Sequence, residues 1–248
     1  MTATHLTSRA VIRLSATEPG EDVRAFLQGL VTNDINGPLP CWTALLSPQG
    51  KVLFDFIVWE GSDCLMLDCE ARQAEHLVKK LCQFRLRRKI SITIYREAAV
   101  FWGDMAGDPE SGNDPRLPAL GCRWINSIEF ANTGSADEAW LAHRLKLGVA
   151  EGVAELGFGD LLWLECNAAE LNGVSFTKGC YVGQENTARM NWRQKVNRRL
   201  VVVPLAQSDE ARRVVAYPEL CLAIDHLRVE KLDSATLPGW QRAGLIAP

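Results

Sequence analysis

The sequence has no Cys-x-x-Cys pair, although eight of its 248 residues are cysteine. Their positions, 41, 64, 69, 82, 122, 166, 180 and 221, match neither zinc-ligand spacing nor a set of four that would hold a cluster within one chain. The four histidines, at 5, 76, 143 and 226, are scattered without ligand spacing, so no permanently bound metal is expected. The opening segment MTATHLTSRAVIRLS has no apolar h-region, which argues against a secretory signal. No apolar run approaches membrane-spanning length, so no membrane partner is expected. These absences read as a cytoplasmic protein whose cysteines are free thiols. Charge of one sign is lacking too: 27 Lys+Arg against 30 Asp+Glu leave a net −3, which does not steer the chain toward nucleic acid. Repeats and low-complexity tracts are missing as well.

What is present is an ordinary globular balance, 47% hydrophobic and 23% charged, enough for a sizeable core. PGEDVRAFLQGL places Val23, Phe26, Leu27 and Leu30 on one helical face, and TNDINGPLP breaks it. Two hairpins follow: CWTALL turns at SPQG into KVLFDFIVW, which turns at EGSD into CLMLD. Next comes a helix with Asp68 as N-cap and Ala74, Leu77, Val78, Leu81 and Phe84 as its apolar stripe, then the strands ISITIY and AAVFW. Asp104 to Leu120, rich in Gly, Pro, Asp and Asn, predicts a surface loop. DEAWLAHRLKLG predicts a helix closed by Gly148, GVAEGVAELGFGD a loop, and RRLVVVPL a strand. This mixture predicts an α+β fold.

Within FTKGCYVGQENTAR, Cys180 lies between Gly179 and Gly183 and just ahead of a helix-compatible run from Gln184. Free backbone N–H groups at a helix start and the charge of Lys178 would both favour a thiolate. A buried cysteine packing as a small hydrophobe is the alternative, and it suits the other seven. A phosphate loop is excluded, because Gly179 and Gly183 are too close and Gln184-Glu185 follow where Lys-Ser/Thr is required. Two basic runs, FRLRRKI and ARMNWRQKVNRR, could be solvated faces or nucleic-acid contacts, with Trp192 offering a stacking surface.

KGCYVGQE resembles the signature of the YgfZ-type proteins, folate-binding iron–sulfur assembly factors related to the glycine-cleavage T-protein. Lys178, Gly179, Cys180, Tyr181, Gly183, Gln184 and Glu185 all match it. FLQGLVTNDI, SPQGKVLFD and LNGVSF resemble further family segments, so the likeness runs from about Phe26 to Leu200. It implies a T-protein-like body with antiparallel sheets and helices around a central cavity at residues 1–197, and a small, reduced, β-barrel-like C-terminal domain at 198–248. It also implies a tetrahydrofolate-binding factor that supports assembly or repair of iron–sulfur clusters in client enzymes. Cys180 and Lys178 would be its reactive pair, and Cys180 a transient cluster ligand.

DLLWLECN is similar in spacing to the T-protein segment whose glutamate holds the pterin, which places Glu165 there; a carboxylate can accept two parallel N–H bonds from an aminopyrimidine edge. Asp55, Asn33, Gln28, Tyr181 and Gln184 are the other implied folate contacts, with Arg189 for the glutamate tail. T-proteins carry adjacent acids in the hairpin; here Phe54 stands at the first and only Asp55 remains. That departure weakens the alternative of a folate-dependent aminomethyltransferase.

Overall fold

The computed structural model describes residues 4–103, 112–131, 134–192 and 196–246. The first half builds a five-stranded antiparallel sheet in the order β2-β3-β4-β1-β5. Its strands are β1 (Arg9–Ala16), β2 (Cys41–Leu46), β3 (Val52–Glu60), β4 (Cys64–Glu70) and β5 (Ile90–Ile94). Helix α1 (Val23–Gln28) follows β1 and is capped by Asp22, which accepts from Ala25 N at 2.9 Å. Helix α2 (Ala74–Arg85) buries Ala74, Leu77 and Leu81 of the expected stripe. They pack with Ile12, Leu14, Phe56 and Val58 on one face of the sheet. Val11, Trp42, Ile57 and Trp59 face the other way, into a second core. Burial on both faces explains why β2 and β3 read as continuous apolar runs.

The second core is closed by the rest of the chain. β6 (Ala98–Gly103), β7 (Gly112–Asn113) and β8 (Cys122–Ser127) form a small sheet in the order β6-β8-β7. Helix α3 (Asp137–Lys146) stops as expected at Gly148, whose φ is +78°. Then come α4 (Val153–Leu156), α5 (Gln184–Trp192), the strands β9 (Arg198–Pro204), β10 (Arg213–Tyr217) and β11 (Leu222–Arg228), and α6 (Gly239–Ile246). The last three strands pair in the order β10-β11-β9. Leu200 and Ile224 of that sheet share the core of Trp42, Trp140 and Trp163.

Three sequence expectations are corrected, and all three meet in one place. Asp68 does not cap α2, which starts at Ala74; it lies in β4, fully buried, and its carboxylate accepts from Arg9 Nε and Arg123 Nε, each at 2.7 Å. The stretch read as a surface loop holds Asp114 and Arg116, both buried and paired at 2.6 Å; its residues 104–111 lie outside the described residues. The loop read at 148–160 contains α4 and two buried acids, Glu151 and Glu155. Glu151 Oε2 lies 2.8 Å from Arg116 Nη1 and 3.2 Å from Arg123 Nη1, joining Arg9, Asp68, Asp114, Arg116 and Arg123 into a single ionic cluster, with Glu155 beside it paired to Arg144. Burial alone would raise the Glu151 pKa, but Arg9, Arg116 and Arg123 outweigh it and hold the carboxyl well below its ordinary range.

Candidate functional site

Cys180 sits on a short bridge fixed at both ends. On the upstream side the chain from Asn172 to Lys178 lies along the turn after α1. Asn33 Nδ2 donates to Asn172 O at 2.7 Å, Thr32 Oγ1 to Gly173 O at 2.7 Å, and Ser175 N to Thr32 O at 3.1 Å. Lys178 is buried, with its ammonium donating to Gln28 O at 2.6 Å, Asn33 O at 3.0 Å and Val31 O. On the downstream side Gly183 adopts φ +81° against the β2–β3 turn, where an added Cβ would fall 2.4 Å from Ser47 O. Asn186 Nδ2 donates to Gln49 O at 2.9 Å on the same turn. Between these fixings Gly179 and Cys180 are exposed, and α5 begins at Gln184 as the sequence predicts.

The other thiols divide by surroundings. Cys41, Cys69 and Cys166 are buried, and burial pushes Cys41 and Cys69 up to about 12 and Cys166 well above the thiol range. Cys64, Cys82 and Cys122 are half-buried; Cys180 and Cys221 alone are exposed. Among the described residues no group of three or more His, Cys, Asp or Glu side chains is placed to hold a metal ion.

The residues expected to hold folate are dispersed and engaged. Gln28 uses both ends of its amide, donating to Asp34 Oδ1 and accepting from Ile35 N, each at 2.9 Å. Asn33 is spent on Trp42 O and Asn172 O. Tyr181 is buried with the Lys178 ammonium 5.1 Å from its ring centre, and Arg189 donates to Asn186 Oδ1 at 2.7 Å. Gln184 opens α5, half-buried. Asp55 faces inward rather than toward solvent, accepting from Trp42 Nε1 at 3.2 Å and Gly152 N at 3.3 Å; burial raises its pKa. Glu165 lies at the seam with the third sheet, accepting from Leu162 N at 3.4 Å, with His226 Nε2 at 3.3 Å.

The room beside Asp55 is small. The crevice at Asp55 is about 10 Å³, one water's worth, whereas small-molecule sites run to about 300–1,000 Å³. Trp42 and Trp163 fill the middle of the body with ring centres 4.5 Å apart, and Gly173 lies so close that an added Cβ would be 2.6 Å from Trp42 and 2.9 Å from Trp163. A wider groove of about 530 Å³ lies outside, along α2, lined by Leu53, Phe54, His76, Lys79, Lys80 and Phe158.

The basic runs are largely committed as well. Arg88 pairs with Glu21 at 2.6 Å, Lys89 with Glu18 at 3.1 Å, and buried Arg199 with Glu170 at 2.7 Å. Arg193 to Lys195 of the second run lie outside the described residues. Trp192 is exposed.

A crystal structure of glycine cleavage system aminomethyltransferase T from Bartonella henselae superposes with a TM-score of 0.64, over 94% of this chain and 81% of that one, at 14% identity. The chain has the aminomethyltransferase T fold. At that identity the likeness is one of fold alone, and it matches the α+β expectation. No protein-family model matches the chain. Curated relatives sharpen the comparison. The chain is 32% identical over 233 residues to "Iron-sulfur cluster assembly factor IBA57 homolog, mitochondrial" of Neurospora crassa, covering 80% of this chain and 52% of the relative. It is 33% identical over 221 residues to the human "Iron-sulfur cluster assembly factor IBA57, mitochondrial", covering 74% and 62%. The mouse protein of that name is 30% identical over 243 residues, covering 82% and 66%. The chain thus spans about half to two thirds of these relatives. Their names place them in mitochondria, whereas the sequence alone reads as cytoplasmic. Among the described residues no helix is long and apolar enough to cross a membrane.

Proposed function

We propose that this chain is an iron–sulfur cluster assembly factor that meets its partner proteins through the sulfur of Cys180. The single observation that carries the proposal is a cysteine exposed between two fixed points of the backbone, in a chain whose curated relatives are named iron–sulfur cluster assembly factors. An outward thiol on a held bridge can enter another protein's coordination sphere, and a thiolate is the ligand that iron–sulfur clusters take. One thiol supplies one ligand, so the cluster is cargo shared with an assembly or client protein, whose cysteines complete the set.

The proposal does not depend on folate. The carboxylate of Glu165, the expected aminopyrimidine partner, lies against Leu162 N and His226, and Asp55 accepts from Trp42 and Gly152. Aminomethyl transfer is disfavoured, with Phe54 packed into the core where the first hairpin acid would stand. The test is complementation of cells depleted of their own factor, read as the activity of a cluster-dependent enzyme. Wild type restores activity and Cys180→Ser does not; full restoration by Cys180→Ser overturns the proposal.

A further inference from the structure

We propose that Lys178 is a positioning residue for Cys180: its ammonium, seated among the carbonyl oxygens of Gln28, Val31 and Asn33, ties the thiol's bridge to the turn after α1. The role rests on the reading of Cys180 given above. It departs from what the sequence suggests, where a cation two residues from the thiol looks like an electrostatic activator.

The geometry separates these roles. Lys178 is 8% exposed, and its three ammonium hydrogens match three carbonyl acceptors at Gln28 O, Val31 O and Asn33 O. Those oxygens belong to the end of a short helix and the turn after it, where backbone carbonyls lack intrahelical partners. Left buried and unpaired, each would cost free energy comparable to a lost hydrogen bond. Only an ammonium offers three donors from one point; a guanidinium spreads its donors over a planar fork that does not converge on three oxygens. The charged neighbour is Asp34, with the Cys41 thiol and the Tyr181 ring also close. Burial draws the Lys178 pKa down to about 8 while Asp34 acts upward, so the ammonium keeps its proton at neutral pH.

The arrangement makes two distant sequence motifs one device. FLQGLVTND supplies the acceptors and KGCYVGQE the donor, about 150 residues later in the chain. The bridge from Lys178 to Gly183 is then a strap with both ends tied, and its free part carries the thiol. A substitution at Lys178 acts on Cys180 by loosening one tie, without touching the sulfur.

Hydrogen exchange followed by mass spectrometry on the full-length protein tests this, with peptides over 176–184 and over β9–β11 read together. In Lys178→Met the amides of the bridge exchange about tenfold faster, and those of β9–β11 keep the wild-type rate. Complementation falls with it, while Cys180→Ser leaves bridge exchange unchanged. A folded Lys178→Met protein with wild-type bridge exchange overturns the inference. Should that variant fail to fold, the ammonium signal of Lys178 in ¹⁵N-lysine-labelled wild type decides. A slowly exchanging NH₃⁺ resonance, assigned by its loss in Lys178→Arg, supports the tie, and its rapid exchange with water sinks it. Loss of the tie with Cys180→Ser fully active would instead remove the functional reading of the thiol and leave the tie standing as architecture.

Discussion

At the scale of single residues, Gly179 and Gly183 flank the same cysteine and are glycine for different reasons. A Cβ at Gly179 would meet nothing within 4 Å, whereas at Gly183 it would collide with Ser47 O under a φ of +81°. Gly179→Ala should therefore change stability by less than about 0.5 kcal/mol, and Gly183→Ala should cost about 2 kcal/mol or more, both read from urea unfolding. Equal costs would show that the strap is not seated as described. Cys180→Ser should leave the melting temperature within about 2 °C of wild type, because an exposed side chain contributes little to packing. Its effect belongs to partner contact, and a large drop in melting temperature would show instead that the sulfur packs.

At the scale of elements, local pattern was readable and distant pairing was not. The two hairpins, the stripe of α2 and the stop at Gly148 follow from turn residues and periodicity, and they form where the sequence places them. Asp68 reads as a cap because an acid stands before a helix pattern; its actual partners, Arg9 and Arg123, lie 59 and 55 residues away. Asp114, Arg116 and Glu151 lie in stretches that look like loops, since Gly, Pro and charge signal solvent unless a partner is known. Nothing in one sequence announces those partners. The same blindness covers Lys178, whose acceptors are backbone atoms and leave no trace in residue identity.

The ionic cluster has a pH signature. Glu151 ionises at lower pH in the fold than in the unfolded chain, so its stabilising share is complete above about 4.3, the unfolded value, and is lost as pH falls through the lower folded value. Glu151→Gln should cost about 3–5 kcal/mol at pH 7, because it strands buried arginines, and the deficit should narrow below about pH 4.3. Asp55 works in the opposite sense: burial raises its pKa, so protonation favours the fold and part of the acid loss is offset. A deficit for Glu151→Gln that stays constant from pH 7 to pH 3 would contradict the assignment.

At the scale of the whole molecule, the body and the third sheet share contacts as well as a core. Arg144 binds Glu155, which also accepts from the Tyr217 hydroxyl of β10, and Trp240 and Gln241 of α6 donate to Leu147 O and Leu200 O at 2.8 Å each. The fold class was legible from element order and from the motif resemblance, and the superposition on aminomethyltransferase T agrees with it. The interior was not legible, because the residues that would line a pterin chamber and those that fill it are the same apolar types. Calorimetry with tetrahydrofolate should accordingly give no saturable heat with wild type, and Glu165→Ala should titrate in the same way. Saturable binding abolished by Glu165→Ala would restore the cofactor to this protein.

Two sulfurs reach the surface, at positions 180 and 221, and each molecule is therefore divalent toward oxidants. Storage in air without a reducing agent should join molecules end to end into a ladder on a non-reducing gel rather than stop at pairs. Replacing either cysteine by serine should cap the ladder at its first rung.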